Sequence, residues 1–250
     1  MPNSFWFSER QFARLQPLLP TKVQGVPRVD DRRVISGIIH VLQRGCRWRA
    51  APAVYGPYKT LYNRFVRWAG KGVWDGVCAR RSAAGGPPVA LLLDSTPVKA
   101  HRSAAGGKGG PDHQAIGRSR GGRTTKLPAA VDAAGRPRRL NVHPGPRGDA
   151  PVATARVAAL PPQRCLAATA YASAALRAWL WRRGCQPVLP TNPTPKRKHP
   201  FDPVAYQERT VIERTFGRLK DWRRGATRYD KLAQNYRATV LLAAILLYWL

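Results

Sequence analysis

The sequence predicts an α/β chain in two parts: a small helical domain over residues 1–84 and an α/β domain over residues 89–250. Three observations carry this reading. In the first part, apolar residues recur at helical spacing, at Val34, Ile35, Ile38, Ile39, Val41 and Leu42 and again at Leu61, Phe65 and Trp68. The stretch Gly85-Gly-Pro-Pro88 then interrupts the chain. Beyond it, short apolar runs of strand length alternate with helical patterns.

Taken in order, Asp30 or Asp31 caps the first apolar helix and Gly45 ends it. Pro52 and Gly56-Pro57 mark a turn, and Tyr58 or Lys59 opens a second helix through Trp68. Arg64 and Arg67 are expected to point away from its core. Helix, Gly/Pro turn and basic aromatic helix is the pattern of a helix-turn-helix reader. In the second part, Val89-Ala-Leu-Leu-Leu93 reads as a buried strand delivering Asp94 at its tip. Residues 101–126 hold many Gly, Arg, Lys and Ser and almost no apolar side chains, which predicts a mobile basic loop. Leu127–Asp132 and Arg138–His143 flank the turn Ala133-Ala-Gly-Arg-Pro137 as a hairpin. A helix near 150–160, a strand near 165–168, a helix over 173–182 and a strand over 187–189 follow. The proline-rich stretch from Pro190 to Pro203, with Lys196-Arg-Lys198, predicts an extended basic loop ahead of a last acid-bearing helix.

Composition narrows the partner. Lys plus Arg number 43 against 13 Asp plus Glu, a net charge of +30 spread along the chain, so nucleic acid is the default partner. Cys46, Cys78, Cys165 and Cys185 contain no C-x2-C pair, which argues against structural zinc or a disulfide framework and for buried thiols in a reducing cytosol. Met1-Pro-Asn-Ser-Phe-Trp-Phe7 lacks the basic head and apolar core of a signal peptide, so a cytoplasmic location is expected. The apolar run Ala238–Leu250 falls short of the roughly 20 residues a membrane span needs, and reads as a core helix. Trp48, Trp68 and Trp74 are expected in the core rather than stacked on bases.

The chemistry-bearing pattern is Tyr206-x2-Arg209-x3-Glu213-x6-Lys220. On one helix these offsets place all four side chains along one stripe. A carboxylate flanked by a phenol, a guanidinium and an ammonium suits holding a metal ion beside a phosphate. With Asp94 it gives two acids placed for metal-dependent chemistry on nucleic acid.

Together with Asp94-Ser-Thr96, that pattern resembles the bacterial insertion-sequence DDE transposases, in the branch with the Y-R-E-K signature. Further blocks follow the family's order: Gly45-Cys-Arg-Trp-Arg49, Tyr55-Gly-Pro-Tyr-Lys-Thr-Leu-Tyr62 and Arg64-Phe-Val-Arg-Trp68 resemble its DNA-binding segment. Ser119–Lys126 and Ala226–Lys231 match later blocks. The resemblance implies a ribonuclease-H-like core with Asp94 on its first strand, position 168 on the strand beside it and Glu213 on a late helix. It also implies DNA strand cleavage and transfer at terminal inverted repeats and at target DNA, with Mg²⁺ or Mn²⁺ as cofactor and a homo-oligomer assembled on double-stranded DNA. Asp94 and Glu213 become the metal-holding catalytic acids, and Tyr206, Arg209 and Lys220 support them. The DNA-binding candidates are Arg44, Arg47, Arg49, Lys59, Arg64 and Arg67 around the reader helices, and Arg118, Arg120, Arg123 and Lys126 in the basic loop.

One block departs. Where the family carries Leu-Ala-Asp-x-Ala-Tyr-Asp, this chain reads Leu166-Ala-Ala-Thr-Ala-Tyr-Ala172, with Ala168 in place of the second catalytic acid. No Asp or Glu occurs between Asp149 and Asp202, so that strand supplies no carboxylate. Poor or absent cleavage is therefore expected. The alternative reading is an inactive derivative that only binds DNA; a generic basic nucleic-acid chaperone leaves the order of the blocks unexplained.

Overall fold

The computed structural model describes residues 4–21, 28–107, 109–146, 153–191, 199 and 201–250. The chain starts with four helices. In α1 (Glu9–Leu15) Ser8 and Gln11 form a reciprocal capping box. In α2 (Asp31–Arg44) the Asp30 carboxylate accepts from Arg32 N, and Gly45 closes the helix at φ 72°, a left-handed turn suited to glycine. Helix α3 (Tyr58–Gly70) follows the Gly/Pro turn, and α4 (Val73–Ala84) completes the group. The whole expected stripe of α2, Val34 to Leu42, is buried. A Cβ on Gly37 would stand 2.7 Å from Tyr55 Cβ, so this glycine lets α2 and the 53–55 turn pack closely.

The rest of the chain builds a mixed eight-stranded sheet. In chain order it contains β1 (Ala90–Ala100), α5 (Gly110–Gln114), β2 (Gly117–Ser119), β3 (Gly122–Asp132), β4 (Pro137–Leu140), β5 (His143–Pro144) and α6 (Ala153–Ala158). There follow β6 (Arg164–Ala167), α7 (Ala174–Trp181), β7 (Gln186–Val188), α8 (Pro203–Gln207), α9 (Thr210–Lys220), α10 (Arg223–Ala226), β8 (Thr227–Arg228) and α11 (Ala233–Tyr248). The strand order is β2-β3-β1-β6-β7, with β4 and β5 also on β3 and β8 also on β1. Strand β3 runs antiparallel to β1, whereas β6 and then β7 run parallel.

Side chains of β1 alternate between two cores, as strand geometry demands. Ala90, Leu92 and Val98 join the larger cluster with residues of α2, α3, α4, α9 and α11. Leu91 and Leu93 join a second cluster with Ala153, Val157, Leu176 and Leu180 on the opposite face. Asp94 and Thr96 share the parity of Leu92 and so look toward α9. The apolar C-terminal run forms the buried helix α11, and among the described residues no helix is long and apolar enough to cross a membrane.

Several expectations need correction. Strand β1 does not end at Asp94 but continues to Ala100, because β3 pairs with it from Leu91 to Lys99. What ends is its parallel neighbour β6, level with Leu93. Residues 101–126 are not one loop: α5 and the β2–β3 hairpin occupy much of the stretch, with Thr124 and Thr125 buried. Tyr206 to Lys220 is not one helix, since i→i−3 bonds from Arg209 N to Tyr206 O and from Ile212 N to Arg209 O mark the break between α8 and α9. Arg64 does not face solvent. It is 9% exposed, paired with Asp31 and stacked 5.0 Å from the Trp68 ring. Cys46 is half-buried, the other three thiols fully so. Asp149 and Lys196-Arg-Lys198 lie outside the described residues.

Candidate active site

Asp94 sits at the point where β1 loses β6 on one side and has not yet gained β8, which pairs only with Lys99 and Ala100. Helix α9 covers this unpaired stretch. Asp94 Oδ1 accepts from Ser95 N at 2.8 Å, and Asp94 Oδ2 accepts from Arg209 Nη1 at 2.6 Å. The other arm of the same guanidinium, Nη2, donates to Glu213 Oε1 one turn along α9. One arginine thus joins two carboxylates 119 positions apart in sequence, Asp94 at 18% side-chain exposure and Glu213 at 53%.

Lys220 closes the far end. Its Nζ donates to Thr96 Oγ1 at 2.6 Å and to Pro97 O at 3.3 Å. Tyr206 lies under Arg209, with the guanidinium 5.6 Å from its ring, and packs edge-on against Phe201. The break between α8 and α9 therefore keeps Tyr206, Arg209 and Glu213 in contact although no single helix carries them.

Electrostatics follow from burial. Burial raises the Asp94 carboxyl above its usual range, against the pull of the Ser95 amide and Arg209, and Glu213 pushes it the same way. Burial lowers Lys220. For Arg209, burial acts downward but Tyr206, Asp94 and Glu213 together hold its charge more firmly than in water.

Position 168 follows directly on the residue paired with Leu93, so Asp94 and Ala168 leave the parallel ladder at the same level. The sequence places its backbone in the strand ladder; the structure instead ends the strand at Ala167 and starts a 3-10 turn at Ala168, with Ala168 O accepting from Tyr171 N at 2.9 Å. Its methyl packs against the cluster containing Leu93 and Tyr171. Among the described residues no three His, Cys, Asp or Glu side chains gather where they could hold a metal ion.

The basic candidates divide. Arg44, Arg47, Arg49, Lys59 and Arg67 are exposed around α2 and α3, and Arg49 stands 5.9 Å from the Tyr58 ring. Arg118, Arg120 and Arg123 are exposed on the β2–β3 hairpin, and Lys126 is half-buried on β3. Arg64 serves the fold, not the surface.

Sequence reasoning missed two features. Thr96 anchors Lys220, a role hinted at only by its place in the Asp94-Ser-Thr96 block. Arg228 is wholly buried, donating to Thr125 Oγ1 at 2.6 Å, Ala115 O at 3.1 Å and Asp230 O at 2.8 Å. Nothing in the local sequence distinguishes it from the exposed arginines.

A family profile described as "Transposase DDE domain" matches residues 85–249, and the chain belongs to that family, the DDE transposases. Residues 7–78 match a second profile, "Putative transposase of IS4/5 family". The chain is 36% identical over 129 residues to "Putative transposase for insertion sequence element IS6501" of Brucella ovis, covering 51% of this chain and 98% of that protein. It is 30% identical over 128 residues to "Uncharacterized protein y4sN" of Sinorhizobium fredii, covering 49% of this chain and 92% of that protein. Among solved structures, "Crystal structure of a pre-cleavage Mos1 transpososome" is similar at 13% identity over 87% of this chain and 85% of that one, with a TM-score of 0.29, too distant to carry an argument.

Proposed function

We propose that this DDE transposase serves an insertion sequence, reading terminal inverted repeats with residues 1–84 and acting on the DNA strand with residues 89–250. The sheet supports a ribonuclease-H-like core: counting β1, β3, β4, β6 and β7 as its five strands gives the order 3-2-1-4-5, the first three antiparallel and the last two parallel to the first. The exposed arginines of α2 and α3 support the reader, since Arg contacts phosphate and guanine in a bidentate manner.

The observation that carries the catalytic reading is the Asp94–Arg209–Glu213 bridge beside position 168. Asp94 and Glu213 offer the hard oxygen donors that Mg²⁺ or Mn²⁺ prefers, and Arg209 holds the place of a cation between them. This donor set fits one such ion; nothing at Ala168 would hold a second. When bound, divalent ions supply charge stabilisation at phosphorus and a nucleophilic water or hydroxyl. The chain's own residues do the positioning. Lys220, fixed by Thr96, and Arg209, fixed over Tyr206, are placed to pair with strand phosphates, and α9 shields Asp94 from bulk water.

In this reading the chain binds repeat DNA and cuts it poorly. The second reading, a DNA-binding derivative without catalysis, is favoured by the same Ala168. Restoring the acid separates them. This chain and Ala168→Asp are incubated with Mg²⁺ or Mn²⁺ and end-labelled repeat DNA. Slow metal-dependent cleavage by this chain that Ala168→Asp accelerates supports the first reading, and cleavage by Ala168→Asp alone supports the second; equal cleavage by both would falsify the role given to position 168.

A further inference from the structure

Two features of α9 weaken the helix and gain nothing inside the protein. Gly217 stands exposed in its interior, and a Cβ built there would meet no atom within 4 Å. Glycine is the poorest helix former after proline, and here no neighbour needs the space it leaves. Arg214 and Arg218 stand one turn apart, both exposed, and like charges at that spacing repel. Among the described residues neither pairs with a carboxylate. Local rules broken together on one face, with no internal gain, mark a face shaped by something outside the chain.

Helix geometry relates this face to the acids. At 3.6 residues per turn, Gly217 stands roughly 40° round the helix from Glu213, and Arg214 and Arg218 roughly 100° and 140°. Gly217 is thus the shoulder between the carboxylate and the two arginines. Beyond the shoulder lies a hollow of about 190 Å³, walled by Gly135, Val211, Thr215 and Tyr248 and flanked by Arg214 and Arg218. That is below the roughly 300–1,000 Å³ of small-molecule sites, and suits a phosphate group with its waters rather than a whole ligand. The hollow is braced: Thr215 Oγ1 donates to Gly135 O at 3.0 Å, and the Arg218 guanidinium stands 6.0 Å from the Tyr248 ring.

We propose that the phosphate backbone of bound DNA, continuing past the phosphate presented to Asp94 and Glu213, crosses α9 over Gly217 and is held beyond it by Arg214 and Arg218; the proposal rests on the reading that the chain binds DNA. The bare glycine lets the backbone lie directly on the helix, and two guanidiniums one turn apart take successive phosphates. Asp221, exposed at the end of α9, repels a strand that would follow the helix further, so the path runs across α9 and not along it.

Fluorescence anisotropy with a labelled duplex of arbitrary sequence reads the contact, since phosphate contacts need no particular sequence. Arg214→Gln and Arg218→Gln should each lower the log–log salt slope by about 0.9. Arg182→Gln removes the same charge from the exposed end of α7, on the other face of the sheet, and should leave the slope alone. Gly217→Gln removes no charge, yet should lower the slope as much as the two arginine substitutions combined, because a side chain on the shoulder lifts the backbone off both. Gly217→Ala should raise the melting temperature of the free protein by about 2–4 °C while weakening duplex binding. A lower melting temperature would show that the glycine serves the fold, and overturns the proposal. An unchanged slope in Gly217→Gln overturns it too, as do equal slope losses in Arg182→Gln and Arg214→Gln. Absence of duplex binding by the unsubstituted chain overturns the DNA-binding reading itself.

Discussion

Leu93 of β1 pairs with Ala167 of β6 as the last rung of their parallel ladder, so Asp94 and Ala168 emerge side by side where the sheet opens. That rung fixes where a second acid would have to stand. It also leaves Arg209 as the cation shared by the two acids that are present.

Restoring the acid should restore chemistry. Ala168→Asp is expected to raise divalent-dependent cleavage at least 100-fold, since several kcal/mol of charge stabilisation are at stake and each 1.36 kcal/mol is tenfold. Single-turnover cleavage of labelled repeat DNA measures it. A rate unchanged from this chain means that the substituted side chain stays on the Leu93 and Tyr171 side of the sheet.

Removing the shared cation should make the acids bind metal. Without metal, Arg209→Gln leaves Asp94 and Glu213 facing each other uncompensated, and the melting temperature should fall by about 2–4 °C. Added Mn²⁺ should then raise the melting temperature more in the variant than in the unsubstituted chain, because no arginine competes for the carboxylates. An equal Mn²⁺ response in both proteins counts against Arg209 as the occupant.

Arg47 and Arg64, 17 positions apart in sequence, should respond differently. Arg47→Ala is expected to lower the salt dependence of duplex binding by roughly one phosphate, about 0.9 in the log–log slope, with stability unchanged. Arg64→Ala breaks a buried pair with Asp31 and should cost about 3–5 kcal/mol of stability while leaving the slope alone. Urea unfolding and salt titrations of both variants decide this.

Asp230 gives a pH signature. Burial raises its carboxyl above the ordinary value, more than Arg224 and Arg228 lower it. The folded state therefore holds the proton more tightly than the unfolded chain, and stability from this group falls as pH rises beyond about 4. Relative to Asp230→Asn, the unsubstituted chain should gain stability as pH is lowered from neutrality toward 4. Parallel melting curves with no pH-dependent gap between the proteins would show that the group titrates normally.

What the sequence made legible was local. Asp30 and Gly45 delimit α2, Ser173 caps α7, and the turn between β3 and β4 falls where its Gly and Pro place it. What it hid depends on distant partners. Arg64 reads as a surface residue until Asp31, 33 positions earlier, takes it. Thr124 and Thr125 read as loop until Arg228, over 100 positions later, binds Thr125. The 206–220 pattern keeps helical spacing across a break because Asp202 caps α8 separately and α9 starts anew. The acids were visible as residue types in order; the arginine that joins them was visible only as a neighbour of one.

The larger apolar cluster joins Ile35, Phe65 and Trp74 of the first helices to Leu92 of β1 and Leu241 of α11 in one packed body. Packed interiors transmit position rather than absorb it. On the proposed function, reader helices and acid-bearing strand would move as one piece and the chain would act as a ruler. The number of base pairs between a recognised sequence and the phosphate presented to Asp94 would then be a fixed property of the protein, and a spacer lengthened by half a helical turn would present the wrong face of the duplex.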